Sequence, residues 1–171
     1  MFIAYLLIFC RIVLGLLFFF AFLGKAPNLP PFERTISSLE ILPERFSRLA
    51  PLLFLIGELA VILFLALDGP LLGPGFALAA LLLLGLMLAH RQKIEMPAHK
   101  AGVMQKPRSD YDLWRNAGFI GCALVGSAAL ALNRSPVTLS LVEGVVIGLG
   151  AALFVVAWTQ LGEIAQLLRV S

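Results

Sequence analysis

Ionisable side chains inside long apolar runs constrain this chain more than any other feature. The runs are Phe2–Gly24, Leu49–Leu67, Leu72–His90, Leu113–Leu132 and Val137–Trp158. Each holds roughly 19–23 residues, the length a helix rising about 1.5 Å per residue needs to cross a hydrocarbon core of about 30 Å. Arg11, Glu58, Arg115 and Glu143 fall inside or at the edge of these runs. Charge in hydrocarbon is expensive, so such residues pair, line a cavity or snorkel to an interface. A chain built this way is a polytopic membrane protein.

Charged residues make up only 13% of the 171 residues and hydrophobic ones 60%. A few loop cations then set the net charge of +3, which gives no reason to expect a nucleic-acid partner. The first run lacks a basic leading segment, carries Arg11 in its middle and has no small-x-small cleavage site before Lys25. It therefore reads as the first membrane helix rather than a signal peptide.

The breakers divide the chain. Lys25-Ala-Pro-Asn-Leu-Pro-Pro31 stops the first helix. Phe32–Leu39 sets Phe32, Ile36 and Leu39 on one face, a pattern that predicts a short interfacial helix. The second span starts near Pro51, where a first helical turn tolerates proline. Asp68-Gly69-Pro70 and Asn133-Arg134-Ser135-Pro136 predict tight turns, whereas Arg91–Asp112 predicts a long polar loop. Thr159–Leu168 keeps an apolar spacing, so the last helix is expected to run on past the membrane. Lys25, Arg34, Arg45 and Arg48 in one connection, Arg91, Lys93, Lys100, Lys106 and Arg108 in another, and the terminal Arg169 outweigh Arg134 on the opposite face. The positive-inside rule places the long loops and C-terminus in the cytoplasm and the N-terminus outside.

Counted from the ends of their own runs, Arg11 and Glu58 both lie about 13 Å deep, and Glu143 roughly 8–9 Å deep. The expectation is that Arg11 contacts Glu58, Glu143 or both. Three readings of that cluster are open: a structural ion pair that sets helix order, the polar floor of a cofactor, quinone or substrate pocket, and a proton path. At the cytoplasmic end Lys25, Arg115 and Asn116 are expected to gather near His90 and Arg91, with Asn116 bonding a neighbouring helix. Gly118, Cys122 and Gly126 form a small-xxx-small row suited to an intramolecular seam, and Gly144 and Gly148 a GxxxG step. Phe18, Phe19, Phe20 and Phe22 are expected to face lipid.

Arg11-Ile-Val-Leu-Gly-Leu-Leu-Phe18, Lys25, Phe32, Ile41-Leu-Pro43, Glu58 and Trp114-Arg115-Asn116, in this order, resemble the MauE/DoxX-like redox-associated membrane proteins over residues 8–130. The resemblance implies an all-α integral membrane protein: a four-helix transmembrane bundle over residues 1–132, to which residues 133–171 add a fifth transmembrane helix and a short tail. It also implies a bacterial inner (cytoplasmic) membrane, and a supporting role in making or running a membrane or periplasmic redox enzyme. The family's Cys-x-Cys-Phe-Gly-like motif between the third and fourth spans is missing. That region reads His90-Arg-Gln-Lys-Ile-Glu-Met-Pro-Ala-His99 and onward without a cysteine.

The cysteines present, Cys10 and Cys122, lie inside spans among apolar neighbours, where a thiolate is disfavoured. They are expected to be small packing residues. His90, His99, Met96 and Met104 lack regular ligand spacing, so no metal site is assigned, and no catalytic constellation is recognised. Two functional classes follow. The preferred one is a non-catalytic subunit or assembly partner of a membrane redox or electron-transfer complex, in contact with lipid and other membrane subunits. The alternative is a quinone- or lipid-handling oxidoreductase using Arg11, Glu58 and Asn116. No inverted repeat or broken span points to a transporter.

Overall fold

The computed structural model describes residues 2–25, 50–67, 69–95, 111–132 and 140–170. The expected interfacial helix at Phe32–Leu39, the turn at 133–136 and the loop donors Met96, His99 and Met104 lie outside the described residues. The described elements are helices: α1 (Phe2–Lys25), α2 (Ala50–Ala66), α3 (Leu72–Glu95), α4 (Tyr111–Leu132) and α5 (Leu141–Val170). Among the described residues there is no strand.

The apolar runs became helices because a helix satisfies every backbone group within its own segment, as lipid demands. Phe2–Lys25, Trp114–Leu132 and Leu141–Gln160 are each long and apolar enough to cross a membrane. The apolar stretches of α2 and α3, Leu52–Ala66 and Leu72–Leu88, are shorter. The helix ends correct the expected boundaries in places. α3 continues through Arg91 and Lys93 to Glu95, so the polar segment begins later than expected. α5 starts at Leu141 and runs on to Val170, in keeping with its unbroken sequence.

Local chemistry sets several of these ends. Pro51 stands at the start of α2, where a missing N–H is harmless. Between α2 and α3, Gly69 takes a φ of 106°, a left-handed conformation that favours glycine, and its carbonyl accepts from the Leu72 amide. The start of α5 is a capping box. The Glu143 amide donates to Ser140 Oγ at 3.3 Å, and the Ser140 amide donates back to Glu143 Oε2 at 2.9 Å.

α1 packs against α2, α4 and α5, while α3 packs against α2 and α4; α4 and α5 touch more lightly. The facing pairs give the directions. Going from Lys25 to Arg11 on α1, the partner on α2 moves from Glu58 to Leu65, so the two helices are antiparallel. Gly57 faces Leu82 and Gly75 faces Phe64, which makes α2 and α3 antiparallel; Gly73 with Leu130 and Gly126 with Phe76 do the same for α3 and α4. Tyr5 with Glu143 and Phe9 with Phe154 make α1 and α5 parallel.

The core lies where these helices meet. Val13 and Leu14 of α1, Val61 of α2, Phe76 of α3 and Ala123 of α4 have no exposed surface. Phe18 belongs to this core at 2% exposure, contrary to its expected place at the lipid face, whereas Phe19 and Phe20 do face outward. The reason is helical spacing: Phe18 follows Leu14 by four positions and shares its stripe, which its neighbours do not. The outward surface is apolar, as lipid requires; in the Leu141–Gln160 span only Ala151 and Val155 are buried.

Candidate functional site: polar centres along the first helix

Among the described residues three polar centres are strung along α1, and none is the expected Arg11–Glu58 or Arg11–Glu143 pair. The first is at the N-terminal end of α1, where the Tyr5 hydroxyl donates to Glu143 Oε1 at 2.6 Å. Glu143 also accepts from the Ser140 hydroxyl and amide, each at 2.9 Å. This carboxylate therefore caps α5 and staples it to α1. The Ser-x-x-Glu spacing of Ser140 and Glu143 is the signal for the cap, and it was available in the sequence. Tyr5 carries no such signal.

The second centre is Arg11. Its Nε donates to the Leu65 carbonyl and its Nη2 to the Ala66 carbonyl at 2.8 Å. The last carbonyls of a helix have no intrahelical donors and carry the negative end of its dipole, so a guanidinium there meets both needs. Arg11 is thus the cap of α2. Arg11 and Glu58 lie at different depths because the outer ends of α1 and α2 are not level. α2 ends at Ala66 beside Arg11, so α1 extends beyond it.

The third centre replaces the pairing expected of Arg11. Lys25, the last residue of α1, forms a salt bridge with Glu58 of α2, and its ammonium stands 4.7 Å from the centre of the Phe54 ring. The Glu58 side chain is 1% exposed and the Lys25 side chain 23%. Glu58 Oε2 is buried without a hydrogen-bond partner, while Oε1 takes the lysine. The pairing gives the buried carboxylate a counter-charge that itself reaches the surface.

Arg115 and Asn116 lie half-buried in the second turn of α4. The Arg115 carbonyl accepts from Trp158 Nε1 at 3.2 Å, which seats α5 on α4. A Cβ on Gly118 would come within 2.5 Å of the Trp158 ring, and one on Gly126 within 2.4 Å of Phe76. Cys122, between them in the row, packs against the apolar core, and Cys10 of α1 is part of that core. The row is an intramolecular seam, as its spacing suggests, but Gly118 meets α5 and Gly126 meets α3. Both cysteines are packing residues, as their apolar neighbours in the sequence suggest. Gly144 and Gly148 have no heavy atom of another helix within 4 Å of a built Cβ.

A groove of about 430 Å³ opens between α1 and α2. Ile8, Ile12, Leu16, Phe19 and Ile62 form apolar walls, and Arg11 is its charged residue. Glu58 and Asn116 are not in its lining.

Comparison with known families agrees with the helical part of this picture. The family model for the methylamine utilisation protein MauE matches residues 3–133, from the start of α1 to just past the end of α4. None of the curated proteins and none of the solved structures compared matches the chain.

Proposed function

Because the chain belongs to the MauE family, a membrane family tied to methylamine utilisation and redox chemistry, we propose that it is a non-catalytic membrane subunit or assembly partner of a redox or electron-transfer complex. The match over residues 3–133 carries this reading. The polar centres support it. Tyr5–Glu143 ties one helix to another, Arg11 caps a helix end, and Lys25–Glu58 holds two helices together. Each is work a scaffold needs. The family unit is α1–α4, and α5 is an addition lying beyond the matched residues.

All five helices span in this reading, with the N-terminus outside and the long connections inside. The alternating helix directions support it, and so does the surplus of lysine and arginine in those connections. The membrane is the bacterial inner membrane, as the resemblance implies.

Isolation of the tagged chain from its native membrane in mild detergent tests the proposal. It should co-purify in constant ratio with the same larger membrane proteins. Recovery as a lone monomer or homodimer carrying a quinone would overturn it. That result would favour the second reading, a quinone- or lipid-handling oxidoreductase, whose supporting observation is the apolar groove with Arg11 in its wall.

A further inference from the structure

At its N-terminal end α1 overreaches three of its neighbours. Arg11 stands beside the last carbonyls of α2, Gly75 of α3 faces Leu65 of α2, and Gly73 faces Leu130 near the end of α4. These helices therefore stop near the level of Arg11, while α1 runs on to Phe2, about 13 Å farther. The start of α5 stands beside this overhang, where Tyr5 meets Glu143. Its outward residues are apolar, with Phe2, Ile3, Leu141 and Val142 all exposed. Such a surface belongs in lipid, which puts Arg11 at the depth of acyl chains rather than headgroups.

Arg11 is half-buried, and its Nη2 bond to the Ala66 carbonyl lies in an exposed setting. It heads the groove between α1 and α2, which continues inward past Ile12 and Leu16 to Phe19, with Ile62 opposite. Phe19 lies about 12 Å along the helix from Arg11. Gly15 leaves the groove open midway, since a Cβ built there meets no heavy atom within 4 Å. We propose that this groove binds an anionic phospholipid, with its phosphate on the Arg11 guanidinium and one acyl chain laid past Gly15 to Phe19. A guanidinium is a planar fork of five N–H donors suited to phosphate. A charge at acyl-chain depth is costly, and a headgroup drawn down to it by local thinning of the bilayer lowers that cost. An anionic headgroup is favoured because the ammonium of a zwitterionic one competes for its own phosphate. The neutral carbonyls of a quinone gain less from the same contact.

The test reconstitutes the full chain in liposomes of equal parts phosphatidylglycerol and phosphatidylethanolamine, extracts it in mild detergent and weighs it by native mass spectrometry. The protein should retain one phosphatidylglycerol, preferred over phosphatidylethanolamine about tenfold, the worth of one charge-assisted contact. Gly15→Leu fills the groove and leaves Arg11 in place. It should lose the bound lipid while melting in lipid-free detergent no lower than the unaltered protein. Arg11→Gln, where it folds, should hold the two lipids equally. Glycerol phosphate, a headgroup without chains, should displace nothing. Equal retention of both lipids by the unaltered protein would overturn the proposal, and so would undiminished retention by Gly15→Leu. Displacement by glycerol phosphate would refute the role of the chain, and displacement by a long-chain benzoquinone would assign the groove to the second reading instead.

Discussion

At the residue scale, the charged positions are legible in the sequence and their partners are not. Arg11, Glu58 and Glu143 stand out because each interrupts an apolar run. Which atoms answer them depends on how far one helix slides past the next. Lys25 looked like a snorkelling end residue, and it does reach the surface, but its ammonium first meets Glu58. The pair is unequal, and the inequality predicts a mutational asymmetry. Lys25→Met strands a carboxylate that is 1% exposed and already has one unsatisfied oxygen, and should destabilise the protein by about 3–5 kcal/mol. Glu58→Gln leaves a lysine that can swing outward, and should cost less. The double variant should be less harmful than the sum of the two. Thermal unfolding in detergent of the four proteins measures the coupling; strictly additive effects would show that the contact contributes nothing.

At the scale of elements, helix boundaries were read to within a few residues, because hydropathy and helix-stop signals act along the chain. Misreadings came where a neighbouring element decides. Phe18 is a core residue because α1 turns that side inward. Glu143 belongs to an α5 cap because α5 starts at Leu141, a few residues later than the apolar run. Membrane helices gain little from hydrophobic burial against each other, so close packing has to hold them together. Gly126 is the clearest case, since the fully buried Phe76 ring fills the place of its missing side chain. Gly126→Ala should therefore force ring or backbone to move, at about 1–3 kcal/mol. Gly144→Ala, with no heavy atom within 4 Å of its Cβ, should be neutral or mildly stabilising. Melting temperatures of the two variants in the same detergent give the comparison, and equal losses would contradict the packing described here.

For the whole molecule, the alternation of helix directions makes a topological prediction. α1 and α5 run in parallel, so the start of α5 and the N-terminus belong on the same face of the membrane. The turn at Gly69 belongs on that face too, provided that the shorter apolar stretches of α2 and α3 span. Reporter fusions at Gly69 and Ser140 should be active outside the cell, and fusions after Lys25 and after Ser171 inside it. A Gly69 fusion that reports the cytoplasm would reduce the spans to the three longer helices.

The sequence by itself determined that this chain is helical, that it belongs in a membrane, roughly where each helix stops, and which family its first four helices resemble. Those properties are local. Backbone hydrogen bonds in lipid must close within the segment, and hydropathy is counted along it. Only the tertiary structure decided that Lys25 and not Arg11 answers Glu58, that Arg11 caps α2, and that Tyr5 meets Glu143. Those outcomes depend on the slide and rotation of one helix against another. Each is set by many side chains packing at once, such as Phe76 against Gly126 and Trp158 against Gly118. No single segment carries that information, because the contact exists only when both helices are in place.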